Sequence, residues 1–156
     1  MRFKKILFPT DFSKHSLYAL PYAKDLVSQS DGELYVVHVV DDAYQYMMTA
    51  SEVATVPVVM PLDGMRKTAQ HQIQELQKQQ LGDLGDRVHT EVLVGRPFVE
   101  IIQYAREKEM DLIVIATHGH GALASMLLGS VTEKVVRKCE CPVLTIRHPE
   151  QKFESP

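Results

Sequence analysis

Short apolar runs alternate with stretches of helical period along this sequence, and that alternation limits the folds open to it. Residues 33–40 (ELYVVHVV) and 111–116 (DLIVIA) are near-continuously apolar, and residues 3–9 (FKKILFP) end in an apolar run closed by proline. Strands buried on both faces read this way, because neither face meets water. Residues 88–94 (VHTEVLV) alternate more, and residues 142–147 (PVLTIR) read as a last strand with proline at its start. Between these runs, apolar residues recur at helical spacing: Leu17, Leu20, Ala23 and Val27, then Met65, Ala69, Ile73 and Leu76. Two further sets follow, Phe98, Ile101, Ile102 and Ala105, and Val131, Val135, Val136 and Cys139. Five strands alternating with helices predict an α/β fold, a three-layer open parallel sheet with right-handed crossovers and helices on both faces. Pro21 falls inside the first helical pattern, where its missing N–H predicts a kink.

Length and composition support one unit. A chain of 156 residues fits one domain, and at that size folding buries roughly 70% of the surface of the unfolded chain. Apolar residues make up 45% and charged residues 24% of the sequence, which argues against disorder and against fibrous classes. The domain is expected over residues 1–148, with 149–156 a polar, proline-flanked tail that frays. Residues 41–63 form a long connection without a clean period, read either as a flap or partner surface, or as an irregular insertion with a short helix. A net charge of −3 with interspersed signs supplies no basic stripe for nucleic acid. The N-terminal apolar stretch runs only from Ile6 to Phe8, so neither a signal peptide nor a membrane span is expected. Cys139 and Cys141, the two cysteines of the chain, make neither a disulfide framework nor a four-ligand zinc site. They point to reduced thiols and a cytoplasmic setting, a redox role being the lesser alternative.

In open parallel sheets, ligands bind beyond the carboxyl ends of the strands where the strand order reverses. The residues that follow the first and fourth strands are therefore the candidates. Pro9-Thr10-Asp11-Phe12-Ser13 follows the first, and Thr117-His118-Gly119-His120-Gly121 follows the fourth, leading on to Gly129-Ser130-Val131-Thr132-Glu133. Glycines let backbone approach a ligand closely, and Gly129-Ser130 stands where the last long helix begins, a place suited to an anion. Ser130 with Glu133 also spells a capping box, so Ser130 is read either as a ligand contact or as a plain helix cap. Asp11 has the same two readings, a ligand contact or a partner for the helix dipole.

The segment A-T-H-G, nine residues, then G-S, followed by V-T-E-K-V-V-R-K and C-P-V-L-T-I-R, resembles the C-terminal signature of ATP-binding universal stress proteins. K-K-I-L-F-P-T-D-F-S near the start and G-R-P at Gly95 to Pro97 agree with it. The resemblance implies a Rossmann-like sheet of the adenine nucleotide alpha hydrolase type, strand order 3-2-1-4-5. It implies that Gly119, Gly129, Ser130 and Val131 contact phosphates, with His118 in the same loop. Pro9, Thr10 and Asp11 would then line the ribose and adenine side, and Val39 would pack on the base. Ala116 stands where the family's phosphate motif has its first glycine, and its methyl group is expected to narrow the space beside the ribose. The implied ligand is ATP, or AMP or ADP, with Mg²⁺ as a companion, and the implied assembly is a homodimer through the last strand, Val143 to Arg147. The alternative for that strand is an edge covered by the tail.

His118 and His120 suggest a metal pair or a nucleotidyl transferase motif, but two histidines on a glycine loop without a nearby third ligand make a poor zinc site. They are read instead as surface histidines of the phosphate loop. No G-x-x-x-x-G-K-[ST] loop is present to place a cation on a γ-phosphate, so no catalytic residue is assigned. Asp11 or Asp41 for Mg²⁺, and Arg96 or His120 for phosphate, are the groups available. The resemblance implies a stress-response regulatory module that binds an adenine nucleotide, with a nucleotide-independent interaction protein and a slow ATPase or a nucleotidyl transferase as the alternatives.

Overall fold

A computed structural model describes residues 3–43, 62–118 and 128–149. Its strands are β1 (Lys5–Pro9), β2 (Glu33–Asp41), β3 (Val88–Gly95), β4 (Leu112–Ala116) and β5 (Val143–Ile146). All are parallel and form one sheet in the order β3-β2-β1-β4-β5. The helices are α1 (Lys14–Leu17), α2 (Leu20–Ser30), α3 (Leu62–Gln80), α4 (Pro97–Glu107) and α5 (Ser130–Lys138), with a 3₁₀ turn over Gly82–Arg87. Both the expected class and the expected strand order are observed.

Burial explains the near-continuous apolar runs. On one face of the sheet Ile6, Phe8, Leu34, Val36 and Val114 pack against Leu20, Ala23, Val27, Ile73 and Leu76 of α2 and α3. On the other, Leu7, Val37, Ile113 and Ile115 pack against Ile101, Tyr104 and Ala105 of α4 and Val135 of α5. Successive residues of β1 thus enter different cores, as the two-residue period of a strand requires. The N-terminal end of β1 is pinned by Asp111, whose Oδ2 accepts the amides of Lys4 and Lys5 at 2.7 and 2.8 Å.

Two expectations are corrected. The pattern around Pro21 is not one kinked helix but two helices in succession, with Pro21 in the first turn of α2. The backbone stays right-handed at Tyr18 and Ala19; the ladder breaks because proline has no N–H to give. Val136, placed by periodicity on the apolar stripe of α5, is 41% exposed. Thr132 takes the buried position beside Val135 instead, because its hydroxyl donates to the Ala116 carbonyl at 2.8 Å.

Gly32 is a close-approach glycine. A Cβ there would sit 2.7 Å from the Lys4 carbonyl oxygen and 2.9 Å from that of Phe3. The turn from α2 into β2 passes against β1 only without a side chain. Most of the expected 41–63 connection and the tail from residue 150 lie outside the described residues; α3 begins at Leu62, inside the end of that span.

Candidate functional site

The chain runs from β1 outward to β2 and β3, then crosses back to lay β4 on the other side of β1. The β1/β4 boundary is therefore the place where crossovers diverge to opposite faces and leave a crevice at the carboxyl edge. β1 stops at Pro9, level with Val37, while β2 continues to Asp41 and β3 to Gly95. The carboxyl ends of β2 and β3 therefore extend beyond that of β1, with half-buried Val39 on the extension. Arg96 stands at the N-cap position of α4 on the same edge, with no side-chain capping bond.

The loop after β1 is built from short polar side chains. Thr10 is buried, its amide donates to the Val37 carbonyl at 2.9 Å, and its Oγ1 takes hydrogen bonds from the Phe12 amide and the Ser16 hydroxyl at 3.0 and 2.8 Å. Asp11 accepts the Ser13 amide at 3.0 Å, and Ser13 caps α1 through the Ser16 amide at 3.1 Å. Phe12 is held at φ +62°, and its ring stacks on His38 at 4.6 Å. A bulky residue in the left-handed region costs of order 1–3 kcal/mol, which the surrounding bonds must offset. His38 Nδ1 lies 2.8 Å from the Thr10 carbonyl, so the histidine of β2 positions this loop. Sequence reading gave His38 no role, because a polar residue within an apolar strand run carries no mark of what it faces.

Across the crevice, Thr117 and His118 end β4, and α5 starts from Gly129. The Gly129 amide donates to the Thr117 carbonyl at 2.7 Å, and Thr132 grips Ala116 one turn further on. Gly129 is the residue before the helix, with ordinary extended angles (φ −65°, ψ 154°), and no side chain caps it. Ser130 is the exposed first residue of α5, so the capping-box reading is not realised. The first amides of α5 therefore stand at a helix end without a side-chain cap, at the positive end of the dipole. Among the described residues, no group of three or more His, Cys, Asp or Glu stands close enough to share a metal ion.

The structure brings Thr10, Asp11, Val39, Gly129, Ser130 and half-buried Val131 to this one edge, with Pro9 buried at the end of β1. Ala116 is buried in the core on the α2/α3 face. His118 is buried too, contrary to the surface reading, with Nδ1 3.1 Å from Thr117 Oγ1. Gly129 passes close to its backbone: a Cβ there would lie 3.6 Å from the His118 Cα. Gly119 and His120 lie outside the described residues. A cavity of about 250 Å³ lies at the opposite, N-terminal edge, beside Met110, Cys139 and Cys141. The loops that follow β1 and β4 converge at the other, carboxyl edge, where ligands of open parallel sheets generally bind.

The fold is that of a doubly wound α/β protein whose switch point lies between β1 and β4. The profile of the universal stress protein family matches residues 2–147, and the chain belongs to that family. It is 34% identical to universal stress protein MJ0531 of Methanocaldococcus jannaschii over 158 aligned positions, covering 96% of this chain and 85% of the relative. The solved structure of the hypothetical protein MJ0577 superposes with a TM-score of 0.77 at 29% identity, covering 95% of this chain and 98% of that one. A universal stress protein crystallised in complex with cAMP shares the fold at a TM-score of 0.63 and 21% identity, covering 94% of this chain and 98% of that one. Among the described residues, no helix is long and apolar enough to cross a membrane.

Proposed function

We propose that this protein is a cytoplasmic stress-response module that binds an adenine nucleotide, ATP or its mono- or diphosphate, at the carboxyl edge of the sheet. The observation that carries this reading is the start of α5, where no side chain caps the helix and Gly129 and Thr132 fasten it to the end of β4. A helix start of this kind supplies amides and dipole to a phosphate at no cost of reorganisation. Ser130 and Val131 would bind phosphate there, with Gly119 completing the loop. Thr10, Asp11 and Val39 would hold the nucleoside against the β1/β2 wall. That a family member with this fold was crystallised with cAMP supports the choice of an adenine nucleotide. Asp11 and Asp41 are the carboxylates on this edge that would meet Mg²⁺ carried in on ATP. The residues assigned here bind and orient; none is assigned a proton transfer, and the module acts by presenting a nucleotide-dependent surface.

Calorimetric titration of ATP and Mg²⁺ into nucleotide-free protein tests the reading. Binding is expected in the micromolar range, about −8 kcal/mol. Absence of heat at saturating nucleotide would overturn the assignment and leave the nucleotide-independent reading standing.

The same protein is proposed to pair through β5. That strand is an edge of the sheet, and Leu144 on it is 37% exposed. An apolar edge with open hydrogen-bonding groups is a pairing surface. Leu144→Arg is expected to convert a dimer to a monomer in sedimentation velocity at unchanged helix content. Equal sedimentation of the two proteins would remove β5 as the interface.

A further inference from the structure

At the edge of the sheet opposite the crevice, Cys139 ends α5 and Cys141 stands in the connection to β5. Both are free, half-buried thiols with their Sγ atoms 3.4 Å apart. They border the cavity of about 250 Å³, whose apolar wall is Ile102, Ala105 and Met110. Arg106 and Glu140, also on that cavity, are paired at 2.8 Å. We propose that Cys139 and Cys141 form a redox-active dithiol that closes to a disulfide by exchange with a small-molecule disulfide of the glutathione type.

Three features carry this. The sulfur atoms need approach by only about 1.4 Å to reach bonding distance. They lie in a connection that is neither helix nor strand, between Lys138 and Val143, so closure does not break the β4/β5 ladder. The adjoining cavity gives an attacking disulfide access to sulfurs that are otherwise half-buried. Its volume is below the roughly 300 Å³ at which pockets begin to enclose whole ligands. It therefore admits the sulfur end of the oxidant, with the rest in solvent. Two thiols fall short of the four ligands of a closed zinc site, and among the described residues no third His, Cys, Asp or Glu joins them.

Burial, and then the hydrogen bond to Cys139, push the Cys141 thiol up to about 12. The first attack is assigned to Cys139 and the second to Cys141. The Cys139 thiolate displaces one thiolate from the small disulfide and becomes the mixed disulfide. Cys141 then loses its proton, attacks Cys139 Sγ and expels the second thiolate. In sum, two protein thiols and one small disulfide give one protein disulfide and two small thiols. Two electrons pass to the oxidant, and the two protons end on the released thiols.

The test incubates the full-length protein with oxidised glutathione, traps remaining thiols by alkylation and reads intact mass. The wild type is expected to lose both alkylatable thiols and to weigh less by two hydrogens, an effect reversed by reduced glutathione. Cys141→Ser is expected to stop at one glutathionyl group on Cys139. Cys141→Ser differs by one atom from the parent, and circular dichroism verifies its fold. The proposal is overturned if the wild type stops at the mixed disulfide, if both thiols remain alkylatable, or if the purified protein carries a metal ion whose removal is needed before oxidation. None of these outcomes bears on nucleotide binding, which is read at the other edge of the sheet.

Discussion

Gly129→Val is expected to weaken ATP binding by about 100-fold or more, equivalent to about 2.7 kcal/mol. The backbone of Gly129 is in a region any residue adopts (φ −65°, ψ 154°), so the effect is one of space and not of conformational strain. A Cβ at this position would lie 3.2 Å from the Thr117 carbonyl oxygen and 3.6 Å from the His118 Cα. The first contact is tight, and it falls on backbone that also accepts the Gly129 amide at 2.7 Å. A branched side chain must push the start of α5 away from β4 or project its methyl groups over the first amides of the helix. Either result denies phosphate its approach to the amides of Ser130 and Val131. Calorimetry on both proteins, with thermal melting to show that the fold survives, measures it. If the variant binds as tightly as the parent, the start of α5 is not the phosphate site. Gly129→Ala separates the two causes: one methyl group retains part of the affinity if bulk over the amides is responsible.

The largest effect on stability is expected from Phe8→Ala. Phe8 lies in the central strand β1, is fully buried, and belongs to the core on the α2/α3 face. Removing a buried phenyl group costs about 3–5 kcal/mol, from lost transfer energy and from the cavity left behind. Total stabilities are about 5–15 kcal/mol, so this single change removes a large share. At this chain length each kcal/mol is worth roughly 2–4 °C, and a fall in melting temperature on the order of 10 °C follows. Denaturant titration gives the free energy directly. A loss below about 1 kcal/mol would mean that the core closes around the vacancy, at odds with β1 being held by neighbours on both sides.

Much of the fold was legible because its signals are local. ELYVVHVV and LIVIA are apolar at successive positions, and only a strand covered on both faces uses such a run. The Leu20, Ala23, Val27 spacing marks the inner face of α2 whatever that helix meets. The candidate site was half legible: the turns after β1 and β4 were singled out because sheets of this topology generally direct ligands there. What lay beyond reach depended on partners distant in sequence. Ser130 fits a capping box with Glu133 by spacing, yet the helix begins one residue earlier than that motif needs. Its start is set by the bond from Gly129 to Thr117, between segments that only the folded sheet brings together. His118 read as exposed because it stands in a glycine-rich loop, yet it is buried, with the start of α5 at Gly129 close to its backbone. His38 looked like an interruption in a strand and is instead the group that holds the Thr10 carbonyl.

The sequence by itself determined the class of fold, the helix and strand faces and the two loops that border the crevice, since periodicity and glycine placement act through nearest neighbours along the chain. Only the tertiary structure decided how α5 starts, where His118 lies, how Phe12 is held at positive φ, and that two cysteines lie with their sulfurs 3.4 Å apart beside a cavity. The start of α5 and the place of His118 follow from contacts between that helix and the end of β4, and the Phe12 conformation from its packing on His38 of β2; no pattern along the chain encodes the distance between groups that meet in this way.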